Sequence, residues 1–356
     1  MKVKILGAGS IGNHLAQASR RMGWEIAVVD KDPEALRRMK EEIYPSRYGA
    51  WDEAIHLFES GREPRGGFDI IYIGTPPSVR IPLAVEALKE KPKILQLEKP
   101  LCGPKLEGLN EFLKAYYEQK DTTAIVGYDH AIAESTKHVV DLLKHGAIGE
   151  VVTLDVEFRE YWGGIFKAHP WLSGPQDSYL GFTEKGGGAS GEHSHALQLW
   201  QYMAREAGLG NWVKVAAVYK MEKTNLVEYD SIASFSLITD KGNIGRVVQD
   251  VVTSPTRKWA RLQGKQGYIE WICGEHPEGD LVRHQDQNGG VEEKVFSKKR
   301  PDDFYQEMLH IQDIIDGKIL GLESPISLES ALSVMSVLAT AYKKQADSHI
   351  PIIAIK

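Results

Sequence analysis

The chain has 356 residues, 42% of them hydrophobic, more than one hydrophobic core usually organises, so two domains are expected. A net charge of −6 with scattered Lys and Arg excludes a general attraction for nucleic acid or an anionic membrane and favours small solutes as partners. Only Cys102 and Cys273 are present, too few for a disulfide framework or a CxxC metal site, and the apolar stretch in MKVKILGAGS is short for a signal peptide; a soluble, reduced, cytoplasmic protein is expected.

In chain order, short apolar runs alternate with helical patterns, the order of a parallel sheet covered by crossover helices. Val3 to Leu6 reads as a strand, and Ile11, Leu15, Ala18 and Met22 then mark one face of a helix. Ile26 to Val29 is the second strand, and Asp32 with Pro33 supplies an N-cap and first-turn proline for the next helix. Asp69 to Gly74, Lys93 to Leu97 and Thr123 to Gly127 read as further strands, with a crossover helix over Pro82 to Leu88. After the turn at Gly146 to Gly149 the pattern changes to long alternating stretches: Val151 to Glu157, Val213 to Tyr219, Ile232 to Thr239 and Gly245 to Val252. These predict a large sheet with one face solvated or paired. The fold expected is α/β: a doubly wound Rossmann domain over 1–127, then a substrate-binding and oligomerisation α/β domain over 128–356 with a mostly antiparallel open sheet. Its last helix is expected to pack back on the first domain.

The chemistry begins at Gly7-Ala8-Gly9-Ser10-Ile11-Gly12, a GxGxxG that follows a strand and opens a helix. Gly7 permits the tight turn, Gly9 lets the backbone approach a pyrophosphate, and Gly12 allows close helix packing, with the phosphates at the positive helix end. Asp30 ends the second strand 18 residues after Gly12, where a carboxylate accepts from the adenosine ribose and repels a 2′-phosphate. NAD is therefore expected over NADP, although Lys31 beside it could tolerate the phosphate.

At Ile73-Gly74-Thr75-Pro76-Pro77 and Glu98-Lys99-Pro100-Leu101 the sequence resembles the Gfo/Idh/MocA oxidoreductases, named after glucose-fructose oxidoreductase and inositol dehydrogenase. The resemblance continues through Gly127-Tyr128-Asp129, Gly186-Gly187-Gly188, Tyr229-Asp230, Gly264-Lys265-Gln266-Gly267 and the helix from Phe304. It implies that Thr75, Pro76 and Pro77 line the cofactor, that Glu98 and Lys99 lie beside it, and that Lys99 hydrogen-bonds the reacting hydroxyl. A cis or constrained Lys99–Pro100 bond at a strand end would direct the ammonium into the ligand crevice; the alternative is a solvated lysine paired with Glu98. Assembly into a homodimer or homotetramer is likewise implied by the resemblance alone.

The second catalytic segment departs from the family, whose members commonly carry a glycine triplet and then an Asp and a His four residues apart. Here the run is Gly186-Gly187-Gly188-Ala189-Ser190-Gly191-Glu192-His193-Ser194-His195. Anchored on the following helix, with Gln198 and Tyr202 at the usual polar and aromatic positions, His195 takes the histidine position and Gly191 stands where the Asp would be. Counted from the glycines, Glu192 takes the Asp position. His195 is read as the acid/base group and Glu192 as its partner or a substrate ligand, an i,i+3 pair on one face, with His193 as the substitute. A metal on these residues is not expected, because HxH on a helix points its side chains about 200° apart.

Arg80, Asp129-His130 and the aromatic segment from Tyr161-Trp162 to Trp171 also depart from the family and read as sugar-binding parts. Tyr128, Asp129, Trp162 and His193 join Lys99 and His195 as candidate substrate contacts, since aromatic faces stack on sugar C–H faces and polar groups hold hydroxyls; Trp162 and Trp171 could equally be core or dimer residues. The expected reaction is NAD-dependent hydride transfer at a secondary carbinol of a sugar, sugar derivative or cyclitol. Two alternatives stay open: an NAD-dependent glycosidase acting by transient oxidation, and a non-catalytic dinucleotide-sensing protein.

Overall fold

The computed structural model describes residues 1–167, 169, 171–299 and 301–344. Six parallel strands form the first sheet: β1 (Lys2–Leu6), β2 (Glu25–Asp30), β3 (Ile55–Glu59), β4 (Ile70–Ile73), β5 (Ile94–Leu97) and β6 (Thr123–Val126). Their order is β3-β2-β1-β4-β5-β6, so the chain reverses direction of travel between β1 and β4 and leaves a crevice at the strand ends there. Every residue of β4 and β5 is buried, which explains why these strands read as continuous apolar runs rather than alternating ones.

The second sheet has eight strands, β7 (Val151–Arg159), β8 (Trp212–Lys223), β9 (Glu228–Thr239), β10 (Ile244–Asp250), β11 (Arg257–Gly264), β12 (Gly267–His276), β13 (Gly279–Gln285) and β14 (Val291–Ser297). They run in the order β14-β13-β12-β11-β7-β10-β9-β8, and only β7 and β10 pair in parallel. In β7 burial alternates: Leu154, Val156 and Phe158 are buried, while Thr153, Asp155 and Glu157 between them are partly exposed. The inner face is covered by the helix His195–Glu206, whose Trp200 indole donates to Leu154 O at 2.9 Å. A side chain on Gly245 would meet that indole at 2.4 Å, so glycine in β10 lets the helix lie close. This packing fixes where His195 stands.

Two late helices pack on this frame, and the second of them reaches both sheets. Asp302–Ile315 packs on the first Rossmann helix, Ser10–Arg21, and on the turn Asp129–Ile132. Leu328–Lys344 packs on β6, on β8 and on His195–Glu206, after Ile326 O has accepted from Val126 N at 2.9 Å.

The predicted crossover helix over 82–88 begins earlier, at Pro77, and Pro82 sits inside it on the exposed side. Pro77 occupies the first turn, where a missing N–H costs nothing, and is the better start signal. Strand β3 has no predicted counterpart: its sequence IHLFE places His56 and Glu59 among the apolar residues and hides the period.

Candidate active site

The glycine loop is built as the motif requires. Gly7 has φ +111°, a region that favours glycine, and its N–H donates to Val29 O at 2.8 Å. A Cβ on Gly12 would lie 2.0 Å from Gly7 O, whereas one on Gly9 would meet nothing within 4 Å. The space over Gly9 is therefore open to a ligand, and the helix beginning at Ser10 has no side-chain cap on its first amides. Open backbone and uncapped N–H groups fit a pyrophosphate. Asp30 accepts from Ala8 N at 2.8 Å through Oδ2 and from Asp32 N at 2.9 Å through Oδ1. Its carboxylate thus braces the glycine loop. Lys31 is exposed beside it, and Ser10 Oγ accepts from Arg47 at 2.8 Å.

Gly7 packs against Gly74 and Thr75, so the loop carrying Thr75, Pro76 and Pro77 borders the same crevice. Arg80 corrects its reading as a sugar contact. It is 2% exposed, and its guanidinium donates to Thr75 O at 2.5 Å and to Pro100 O. Arg80 is a strut joining the Thr75 loop to the Glu98-Lys99-Pro100 loop. Glu98 is buried in the same place; burial pushes its carboxyl up to about 7, against the pull of Arg80 and Lys99.

The Lys99–Pro100 peptide is cis. Lys99 is not paired through its ammonium with Glu98: Nζ donates to Glu192 O at 2.8 Å and pairs with Glu192 Oε1 at 3.1 Å. Burial would raise the Glu192 carboxyl, but Lys99 and His193 outweigh it and hold the group low. Glu192 is therefore the partner of Lys99 rather than of His195, a correction to the i,i+3 reading. The physical reason is a break: Gly188–Glu192 is one short helix, His193 and Ser194 turn, and His195 starts the next helix.

His195 instead faces Asp129, with Nδ1 3.5 Å from Oδ1, and its ring lies edge-on to Tyr128 and His130 and stacks on Phe158. Its side chain is 13% exposed, and burial holds its pKa well below the usual imidazole range. A Cβ on Gly191 would sit 2.1 Å from Gly186 O, so no Asp fits at that position. The carboxylate beside the imidazole comes from the turn after β6.

Three candidate substrate contacts are placed otherwise. Trp162 is buried against Phe166 and Tyr229 in a small core with Leu180, Ala189 and Val251, because the loop after β7 folds inward there. Tyr128 is fully buried, and its ring supports His195 from beneath. His193 is 4% exposed, its carbonyl accepts from Gln249, and burial lowers its pKa to about 4. Trp171 is exposed beside His169 and so is not a core residue.

Sequence reasoning missed Phe158, Glu160 and Lys258. Lys258 pairs with Glu160 at 2.9 Å and stands opposite Phe158 in the β11–β7 register. The partners are a hundred residues apart in sequence, and no local pattern joins them. Among the described residues the His and carboxylate groups whose ligand atoms converge, all within 4.8 Å of one another, are Asp129, His130 and His195 rather than the Glu192, His193 and His195 weighed from sequence.

A family model described as the oxidoreductase family with NAD-binding Rossmann fold, Gfo/Idh/MocA, matches residues 1–128. Residues 1–128 thus match the NAD-binding Rossmann domain of that family. Across the whole chain the fold is similar to that of an oxidoreductase from Agrobacterium radiobacter solved with NAD+, L-tartaric acid and magnesium (TM-score 0.74, 19% identity, covering 98% of this chain and 96% of that one). It is also similar to the WlbA dehydrogenase from Bordetella pertussis solved with NADH and UDP-GlcNAcA (0.69, 18%, 99% and 99%). A levoglucosan dehydrogenase solved with NADH and levoglucosan is a further likeness (0.73, 14%, 97% and 97%). The potassium uptake protein TrkA of Streptomyces coelicolor is 35% identical over 75 residues, 21% of this chain; the chain spans about a third (34%) of that curated relative's length.

Proposed function

We infer that this Gfo/Idh/MocA chain catalyses reversible hydride transfer between NAD and a secondary alcohol carbon of a sugar, sugar derivative or cyclitol. The observation that carries the reading is that Lys99, at the end of β5, bonds Glu192 O at 2.8 Å, and Glu192 ends the short helix just before the one that His195 opens on the second sheet. Bound NAD supplies the hydride acceptor at its nicotinamide ring. An ammonium has three protons; two of those on Lys99 face Glu192, and the third is available to a substrate oxygen, where it stabilises developing alkoxide charge. His195, held neutral by its surroundings, takes the hydroxyl proton, and Asp129 steadies the imidazolium that results. His195 is favoured over His193 because it is the more exposed of the two and faces a carboxylate. The sugar class is supported by the levoglucosan and UDP-GlcNAcA complexes of similar folds. The test is a screen of sugars, inositols and nucleotide sugars with NAD and with NADP, followed by reduced-nicotinamide absorbance. NAD-linked oxidation of at least one carbohydrate is expected; oxidation confined to non-carbohydrate alcohols would replace the substrate class.

A further inference from the structure

The turn Asp129–Ile132 follows the last strand of the cofactor domain, and His195 opens a helix on the other sheet, yet their side chains converge. Asp129 Oδ1 lies 3.5 Å from His195 Nδ1 and 4.0 Å from His130 Nε2, and the ligand atoms of all three residues fall within 4.8 Å of one another. Two ligand atoms held at ~2.0 Å by a tetrahedral ion are separated by roughly 3.3 Å, so small side-chain rotations bring these three to bonding distance. The side chains are 17%, 9% and 13% exposed for Asp129, His130 and His195, which places them in the wall of the crevice rather than in sealed core.

We propose that Asp129, His130 and His195 form a three-ligand site for a borderline divalent cation of the Zn2+ type. Two imidazoles and one carboxylate select Zn2+ or its neighbours over Mg2+ and Ca2+, which prefer all-oxygen shells. Three protein ligands leave a fourth position open toward the crevice for water or a hydroxyl. Lys99 and Lys258, the ammonium groups that act on His195, are each matched by a carboxylate, Glu192 at 3.1 Å and Glu160 at 2.9 Å, which tempers their repulsion of a cation. Because its ligands come from the turn after β6 and from the helix His195–Glu206, the ion fastens that turn to that helix. An imidazole with its Nδ1 on a metal no longer serves as a proton acceptor, so the ion arrests turnover; this consequence rests on the reading of His195 as the base.

The test uses the full chain and Zn2+ alone. Equilibrium dialysis should find one tightly held Zn2+ per chain, with the melting temperature raised by the bound ion. Asp129→Asn and His130→Gln should each weaken retention by roughly tenfold or more, while His145→Gln, an exposed histidine elsewhere, should not. Circular dichroism confirms that each variant is folded, and a Co2+ absorption spectrum of the unmutated chain reports histidine ligation without any substitution. Failure of the wild type to retain Zn2+, full retention by both ligand variants, or equal competition by Mg2+ overturns the site. Retention with undiminished turnover upholds the site and removes His195 from proton transfer, so the two readings fail separately.

Discussion

At the scale of single residues, the carboxylate missing from its family position is the most informative departure. The sequence shows Gly191 where an Asp is usual, and the structure supplies the cause: a side chain there would collide with Gly186 O at 2.1 Å. Asp129 replaces it from another element, at 3.5 Å from His195. No spacing argument reaches across the 66 positions between them, which is why the sequence suggested Glu192 instead. Lys99 was legible because its motif is contiguous; its partner was not, because Glu192 is 93 positions away. Two expectations follow. Lys99→Ala should leave NAD affinity within about twofold of wild type and lower kcat by ~10²-fold or more, since the ammonium acts on the substrate oxygen and not on the cofactor. It also frees the Glu192 carboxylate, so Lys99→Ala with Glu192→Gln should recover folding stability but not turnover. Retained turnover in titrated, folded Lys99→Ala would take Lys99 out of the mechanism. His195→Asn should slow the chemical step by ~10²–10⁴-fold, whereas His193→Asn, at a site 4% exposed, should act through stability. Single-turnover rates with bound NAD separate the two, and the reverse ranking would move the base to His193.

At the scale of elements, the strand, glycine loop and helix of the cofactor site were legible because each signal is local: apolar run, turn glycines, helical period. The second sheet was legible only as alternation. Its order, with β7 beside both β10 and β11, depends on pairings between distant segments, and alternation alone does not choose among them. The glycine loop offers a prediction that divides folding from binding. Gly12→Ala drives a Cβ into Gly7 O at 2.0 Å and should cost about 1–3 kcal/mol of stability by overpacking. Gly9→Ala meets nothing within 4 Å, so the melting temperature should stay near wild type while NAD binding falls, because the added methyl stands where the phosphates approach. Calorimetric titration beside a thermal melt checks both; wild-type NAD affinity in Gly9→Ala would displace the pyrophosphate from this loop. Asp30→Ser should weaken NAD by roughly tenfold or more, since it removes a charge-assisted bond to Ala8 N at 2.8 Å as well as the ribose acceptor, and the preference over NADP should shrink with it.

At the scale of the whole molecule, the helix Asp302–Ile315 packs on the first Rossmann helix and on the turn Asp129–Ile132, and it carries a buried histidine that reports on that junction. His310 is 7% exposed, its Nε2 lies 2.8 Å from Ser324 Oγ, and burial, with Lys137 adding to it, lowers its pKa to about 4. In the unfolded chain the same imidazole titrates near ~6.5. The stabilising contribution of the neutral form is therefore complete above ~6.5 and is lost as pH falls toward 4, where the unfolded chain holds a proton that the folded one refuses; the interval corresponds to about 3 kcal/mol. Buried carboxyls slope the other way. Glu98 is pushed up to about 7 and Asp230 to about 6, chiefly by burial, so their contribution is complete at low pH and is lost as pH rises through those values. The two sets oppose each other between about pH 4 and 7, so the wild-type slope there is a difference between steep contributions. A single substitution exposes the slope. His310→Gln keeps a side-chain partner for Ser324 and cannot titrate, so it should lose less stability than wild type between about pH 7 and pH 4.5, with the gap in melting temperature between the two proteins changing by several degrees across that interval. Thermal melts of both proteins at matched ionic strength read this difference. Curves that stay parallel would mean that His310 titrates alike in the folded and unfolded chains and that the junction around it admits water.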